Sequence, residues 1–239
     1  MPEAGRGTEA GSTTPPRNGR AWRQLHRVLA LVVGLQALLW MASGLYMTAI
    51  SIDVIHGDHV TRHRPALLPA GPFVPPATDD AVEAVRLKAL ADGRAVYEIR
   101  GAGRTQLQDA RTGASIAPLD AAGARALAQQ LYTGQGAIAD VRWLTHAPRE
   151  VGSRPAPMWQ VTFDDAIATT LYLAPDTHER LATRHDLWRA FDVLWMLHIM
   201  DYREREDIGT PWLRVLAALG LAFALAGVGL LRFTVGRRR

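Results

Sequence analysis

The chain is 239 residues long and 48% apolar, has no cysteine and carries a formal charge of +4. That length excludes a large multidomain enzyme, and the lack of thiols excludes cysteine nucleophiles, Fe–S clusters and Cys-ligated zinc. Nor is the charge that of a nucleic-acid binder: residues 1–27 carry five arginines against Glu3 and Glu9, and Arg232 and Arg237 to Arg239 follow the last apolar run. Asp53 to Pro211 holds 17 basic against 21 acidic groups, so the middle of the chain is acidic.

Residues 1–20, rich in Gly, Pro, Thr and charge, bury too little apolar surface to offset chain entropy and read as a disordered cytoplasmic tail. A helix starting near Ala21 then enters the uncharged run Val28 to Ile50, 23 residues long. That is enough to cross a bilayer, so 21–52 reads as the first transmembrane helix. The run exceeds a signal-peptide core of about 7 to 15 residues and no A-x-A site follows it, which favours an uncleaved anchor. A second uncharged run, Val215 to Leu231 (17 residues), places the other transmembrane helix at 209–232. Arg214 can snorkel at its outer end, and 233–239 is a basic tail. Arginines beside both runs put both termini in the cytoplasm and the middle outside.

Between the spans, 53–76 is a juxtamembrane segment with a linker of five prolines from Pro65 to Pro76. The folded outer domain is expected after it, over 77–184. Asp79 and Asp80 precede Ala81, Val82, Ala84, Val85, Leu87 and Leu90, an N-cap followed by a helical apolar stripe. Strands Ala95–Arg100 and Arg104–Asp109 follow, joined by Gly101-Ala102-Gly103 and closed by the turn Arg111-Thr112-Gly113. The order then repeats: a helix from Asp120 to Tyr132, strands near Ala137–Thr145, Met158–Phe163 and Thr169–Leu173, and a turn at Pro175-Asp176-Thr177. The expected fold class is α+β, two transmembrane helices flanking a domain built from two α-then-β repeats. Within 185–208, Trp188, Phe191, Trp195 and His198 recur every three or four residues, which describes an amphipathic helix too short to span a bilayer and suited to its outer surface.

Four pieces resemble the PepSY and PepSY-TM families of bacterial membrane proteins. Trp22 to Leu35 with Ala42 to Thr48 is similar to the opening helix, with a His at its cytoplasmic end. Val96 to Gly113 resembles a PepSY strand pair ending in an Asp-x-x-Thr-Gly turn, and Met158 to Arg184 resembles a second such unit, with His178 where Gly is usual. Leu194 to Asp207 is similar to the segment entering the last helix. The resemblance implies a bacterial inner-membrane protein with a periplasmic PepSY domain that binds or regulates a partner. Some four-span relatives resemble haem reductases that serve ferric siderophores in iron uptake, and this chain, with two spans, departs from them. The alternative function is therefore a small haem-b transmembrane redox subunit, with a homodimer or another membrane protein as partner beside the lipid bilayer.

Haem in membranes is usually held by imidazoles. His26 and His198 lie at opposite faces, about 36 Å apart by helical rise, so one haem cannot bridge them. A two-fold dimer would supply two imidazoles per level, and His59 is an intrachain alternative opposite His198. Trp195 and Phe191 would offer a porphyrin a flat apolar wall. The plainer reading is an interfacial His bonded to headgroups or backbone. His56, His59 and His63, at i, i+3 and i+7, would present three imidazoles to copper or zinc if that stretch were helical; otherwise it is a polar interfacial loop. His178-Glu179 is no zincin motif, since Ala182 occupies the place of the second His. Ala218, Ala222 and Ala226 form a small-residue ladder that would admit a close helix neighbour. No catalytic set can be picked from the sequence.

Overall fold

The computed structural model describes residues 18–62, 67–78, 82–152, 154–203, 205 and 207–236; for 18–26, 29 and 226–236 it describes backbone only. The expectations for residues 1–17 and 237–239, and for the N-cap Asp79-Asp80, lie outside the described residues. The chain divides into two compact units, Met1–Ala42 with Ile208–Arg239, and Ser43–Asp207.

The first unit is helical. Helix α1 spans Asn18–Ala49 and starts inside the stretch expected to be disordered. Its segment Ala30–Ala49 is long and apolar enough to cross a membrane, the one described segment that qualifies. Within it Leu31 and Leu45 are 73% and 69% exposed. Twenty residues rise about 30 Å, the thickness of a hydrocarbon core. A later helix, Pro211–Gly236, is apolar over the shorter stretch Pro211–Leu225.

The second unit opens in the last turns of α1, at Ser43, and continues into a one-turn helix, α2 (Ile52–His56), begun by Ser51 and stopped by Gly57 in the left-handed conformation at φ +84. The chain does not leave the domain here. Thr61 bridges to Tyr132, Arg62 N–H donates to the Leu131 carbonyl at 2.8 Å, and Thr133 N–H donates to that of Val60 at 2.9 Å. Ile55, Val60 and Thr61 are buried. The folded domain therefore includes the juxtamembrane segment, instead of starting after the linker. The linker itself lies along the first sheet, with Val74 N–H on the Ala110 carbonyl and Ala77 N–H on Gln108 Oε1.

Two four-stranded antiparallel sheets follow. The first, in the order β1-β2-β3-β4, is built from Val82–Ala89, Ala95–Gly101, Arg104–Asp109 and Ser115–Ile116. The expected helix over 81–90 is replaced by β1. Its sequence carries two periods at once, since Val85, Leu87 and Ala89 also alternate with Arg86 and Lys88. Tertiary pairing selects the strand, as it commonly does over local propensity. Arg86 lies opposite Glu98, and Lys88 Nζ reaches diagonally to Glu98 Oε2 at 2.5 Å. The expected repeat of helix then sheet is thus corrected: among the described residues the first sheet has no helix of its own, and its small core is Leu90, Val96 and Leu107 with Ile116 against them. The β2–β3 hairpin turns as expected, with Ala102 and Gly103 both at positive φ, as a type I′ turn demands.

The second sheet, β5-β6-β7-β8, uses Ile138–Leu144, Met158–Phe163, Thr170–Leu173 and Arg180–Arg184. Helix α3 (Ala121–Leu131) lies on it, capped by Asp120, whose Oδ1 accepts from Gly123 N–H at 2.7 Å. Ala124 and Ala128, four residues apart and so on one face, let the helix approach Val161, Phe163, Leu171 and Leu173 closely, and all six are buried. The opposite face buries Met158, Tyr172 and Ala182 beneath Val151. Helix α4 (Asp186–Ile199) follows β8 directly, and the helix at Pro211–Gly236 is α5.

Candidate functional site

The four α4 residues singled out by spacing do share a face. His198 Nδ1 and Ser43 Oγ, on the last turns of α1, share a hydrogen bond of 2.8 Å, with Ser43 buried. Phe191 and Trp195 lie parallel, with planes 9° apart and centroids 6.1 Å apart. The indole N–H of Trp195 donates to the Arg205 carbonyl at 3.0 Å, which fixes that ring. The side chain of His26 lies outside the described residues. Tested against a bis-imidazole haem, the described residues supply one oriented imidazole with an aromatic wall beside it, and a second ligand would have to come from elsewhere.

The triple-histidine reading loses its premise. Helix α2 ends at His56, so His56 and His59 do not continue on one helical face, and His63 lies outside the described residues. Among the described residues no cluster of His, Asp or Glu suits a metal ion. His59 instead packs edge-on against His185, with ring centroids 5.3 Å apart.

His59 also lines a groove of about 570 Å3 with Tyr132 and Asp165, and further concave surface lies where the first sheet meets α3 and β8. Two grooves of about 540 and 570 Å3 adjoin there, and His178 lines both. Leu90, Leu119 and Leu127 line one, and Leu67, Leu87 and Leu131 the other. His178 takes φ +54, a left-handed conformation like that of Gly113 at φ +74 after β3. Its imidazole stands at the neck between the grooves. Its Nε2–H donates to the Ala117 carbonyl at 3.1 Å, and burial holds its pKa below the usual histidine value. The neutral ring presents a flat polar edge rather than a charge.

The charges around this neck are already engaged. Lys88 Nζ donates to Glu98 Oε2, to Glu179 Oε1 at 2.7 Å and to the Thr177 carbonyl at 3.0 Å, which ties the first sheet to the turn before β8. Arg100 Nε donates to the other oxygen of Glu98 at 2.8 Å. Burial alone would raise the Glu98 pKa, yet the hydrogen bonds from Lys88 and Arg100 prevail and hold it below the ordinary carboxylate value.

A second polar network lies under the opposite face of the second sheet. The Tyr172 hydroxyl donates to Glu150, Gln160 Nε2 donates to the Tyr172 oxygen at 2.8 Å, and Arg189 Nε donates to Glu150 Oε2 at 3.0 Å. Arg184 stacks over Trp188, 4.0 Å from the ring centroid. Burial raises the Tyr172 pKa and lowers that of Arg184 to about 10, so neither changes charge near neutrality. This network braces α4 against the sheet.

Sequence reasoning missed Lys88, Glu98 and His185. The alternation of charge and apolar residues in β1 was the available signal for the first. The second and third are polar residues inside apolar segments, whose partners are distant in sequence.

No protein family, curated protein or solved structure matches the chain.

Proposed function

We propose that this chain is a membrane-anchored binding module of PepSY-like kind. Helices α1 and α5 hold it in a bacterial inner membrane with both termini in the cytoplasm, and the Ser43–Asp207 domain faces the periplasm, where it binds or regulates a protein partner. The observation that supports this best is the pair of leucine-lined grooves meeting at His178, beside charged groups that spend their interactions on one another. Leucine walls interleaved with charged side chains, Arg86, Lys88 and Glu179 in one groove and Asp92 and Arg94 in the other, suit a ligand with both apolar and polar groups. An extended peptide is the ligand class such a groove accommodates. The full chain in detergent, titrated with a fluorescent library of extended apolar peptides, should bind a subset. Leu127→Glu, which places a charge in the groove, should weaken that binding at least tenfold; undiminished binding would move the site elsewhere.

The second reading, a small haem-b redox subunit, is favoured by one observation, the Ser43–His198 hydrogen bond. A histidine that ligates iron through one ring nitrogen usually has the other held by a neighbouring group, which fixes the ring. If this reading holds, protein expressed with haem supplied shows a Soret band, and His198→Ala removes the outer haem. Absence of the band in the wild type leaves the binding module alone.

A further inference from the structure

His185 ends β8 and begins α4, and it is completely buried. Its Nδ1 accepts the Trp188 N–H at 3.2 Å as the N-cap of α4, and its Nε2–H donates to the Val54 carbonyl of α2 at 3.0 Å. One imidazole therefore satisfies the first turn of α4 and clasps the helix through which the chain arrives from α1. The cap bond requires the neutral ring with its proton on Nε2, because a proton on Nδ1 would face the Trp188 N–H, whereas the Val54 bond needs only the Nε2 proton. We propose that His185 is a pH-operated latch that joins α2 to the start of α4 when neutral, and that protonation, which removes the α4 cap and leaves a charge completely buried, opens the junction.

The surroundings favour release over accommodation of the charge. The charged and titratable groups on the adjoining elements are Asp53 and His56 on α2, Asp58 and His59 after it, Arg180 and Arg184 on β8, Asp186, Arg189, Asp192 and His198 on α4, and Asp164 and Asp165 in the turn before β7. Burial disfavours a charge on His185 most. The Val54 carbonyl, next in size, favours the charge, His59, edge-on to the ring, and Arg189 oppose it, Asp165 favours it least, and the net effect of burial lowers the pKa. The contact it guards is tight: a Cβ on Gly57 would lie 2.5 Å from Thr183 Cγ2 and 3.7 Å from His185 Cδ2. With so little slack, a charged ring that has lost the Trp188 bond is not accommodated by a small local shift.

The sign follows from the lowered pKa. Above the ordinary histidine value of 6.5 both folded and unfolded forms are neutral and the latch holds in full. As pH falls below 6.5 the open form takes up a proton that the closed form resists, and the closed form loses stability until its own pKa is reached. The device is a property of the domain itself; only its exposure to outside acidity rests on the topology proposed above.

Hydrogen exchange of the full chain in detergent, corrected for the intrinsic pH dependence, tests this. Amides 54–58 and 187–190 should lose protection below pH 6.5, by up to tenfold per pH unit for one proton taken up, while the α3 amides keep theirs. His185→Asn, which retains a capping oxygen, should flatten the response. The histidine resonances of the wild type give an independent reading that needs no variant, since loss of protection must follow the titration of His185. Protection that does not change with pH in the wild type, or an unaltered response in His185→Asn, overturns the latch. A response that survives there but vanishes in His59→Gln assigns the titration to His59 and also overturns it. None of these outcomes depends on which side of a membrane the domain faces, so failure of the latch and failure of the topology are separable.

Discussion

The Lys88–Glu98 pair carries the test of what holds β1 in the first sheet. Lys88→Met removes the amine and leaves the Glu98 carboxylate, 1% exposed, facing Arg100 alone, while Glu179 and the Thr177 carbonyl lose their donor. Breaking one side of a buried ion pair costs about 3–5 kcal/mol. The Glu179 contact adds little, because that carboxylate is 44% exposed and screened, so about 3 kcal/mol is expected. Replacing both partners, as in Lys88→Met/Glu98→Leu, removes the stranded charge and should cost much less than the two single changes added together. The same geometry sets an acid limb. With the Glu98 pKa below its ordinary 4.5, its contribution is complete above that pH and falls away as pH drops through the lowered value, by at most about 1.4 kcal/mol per unit. Denaturant melts of the full chain and of the three variants, between pH 3 and 7, measure both effects. If the single changes cost less than about 0.5 kcal/mol, or if the double change costs their sum, β1 is not held by this pair.

Two further expectations are independent of it. Gly57→Ala should destabilise the domain by about 1–2 kcal/mol through its left-handed backbone and by more through its contact with Thr183, read as a shift in denaturant midpoint; no shift would mean that the turn after α2 does not pack on β8. A reporter active only outside the cytoplasm, fused after Arg239, should be silent while one inserted in the Gly101–Gly103 turn is active, and activity at Arg239 would reverse the arrangement.

The elements that sequence made legible are those whose signals are local. Helix α3 runs Ala121–Leu131 between caps at Asp120 and Tyr132, and the hairpin across Ala102-Gly103 turns where its glycines require. Residues 82–89 show where local signals stop deciding. Their apolar residues satisfy both a helical stripe and an alternating strand, and the choice is made by Glu98, ten positions after Lys88, with Glu179 in support. The same holds for the candidate sites. The spacing of Trp188, Phe191, Trp195 and His198 showed that they share a face, but not that Ser43, 155 positions away, meets the imidazole. His56 and His59 looked like a set only while their segment was taken to be helical, an assumption that Gly57 at φ +84 removes.

These long-range partners recur at the boundaries of the domain. Among the described residues its first sheet has a core of only a few side chains and no helix of its own, and Lys88 reaches from it to the turn beside His178. The juxtamembrane segment is held by buried Ile55 and Val60, by the His185 imidazole and by the hydrogen bonds of 60–62 to the end of α3. The well-packed block of α3 on β5–β8 thus meets both neighbours in part through polar contacts, which respond to pH and to bound charge where apolar packing does not. A peptide seated in the grooves would touch Leu87 and Leu90 on the first sheet and Leu127 and Leu131 on α3. It would gain affinity only in so far as the Lys88 junction holds those walls at the correct separation. Lys88→Met should therefore weaken peptide binding even in protein that remains folded, whereas His185→Asn, on the far side of β8, should not. Equal loss in both variants would mean that the block and its two attachments move as one body.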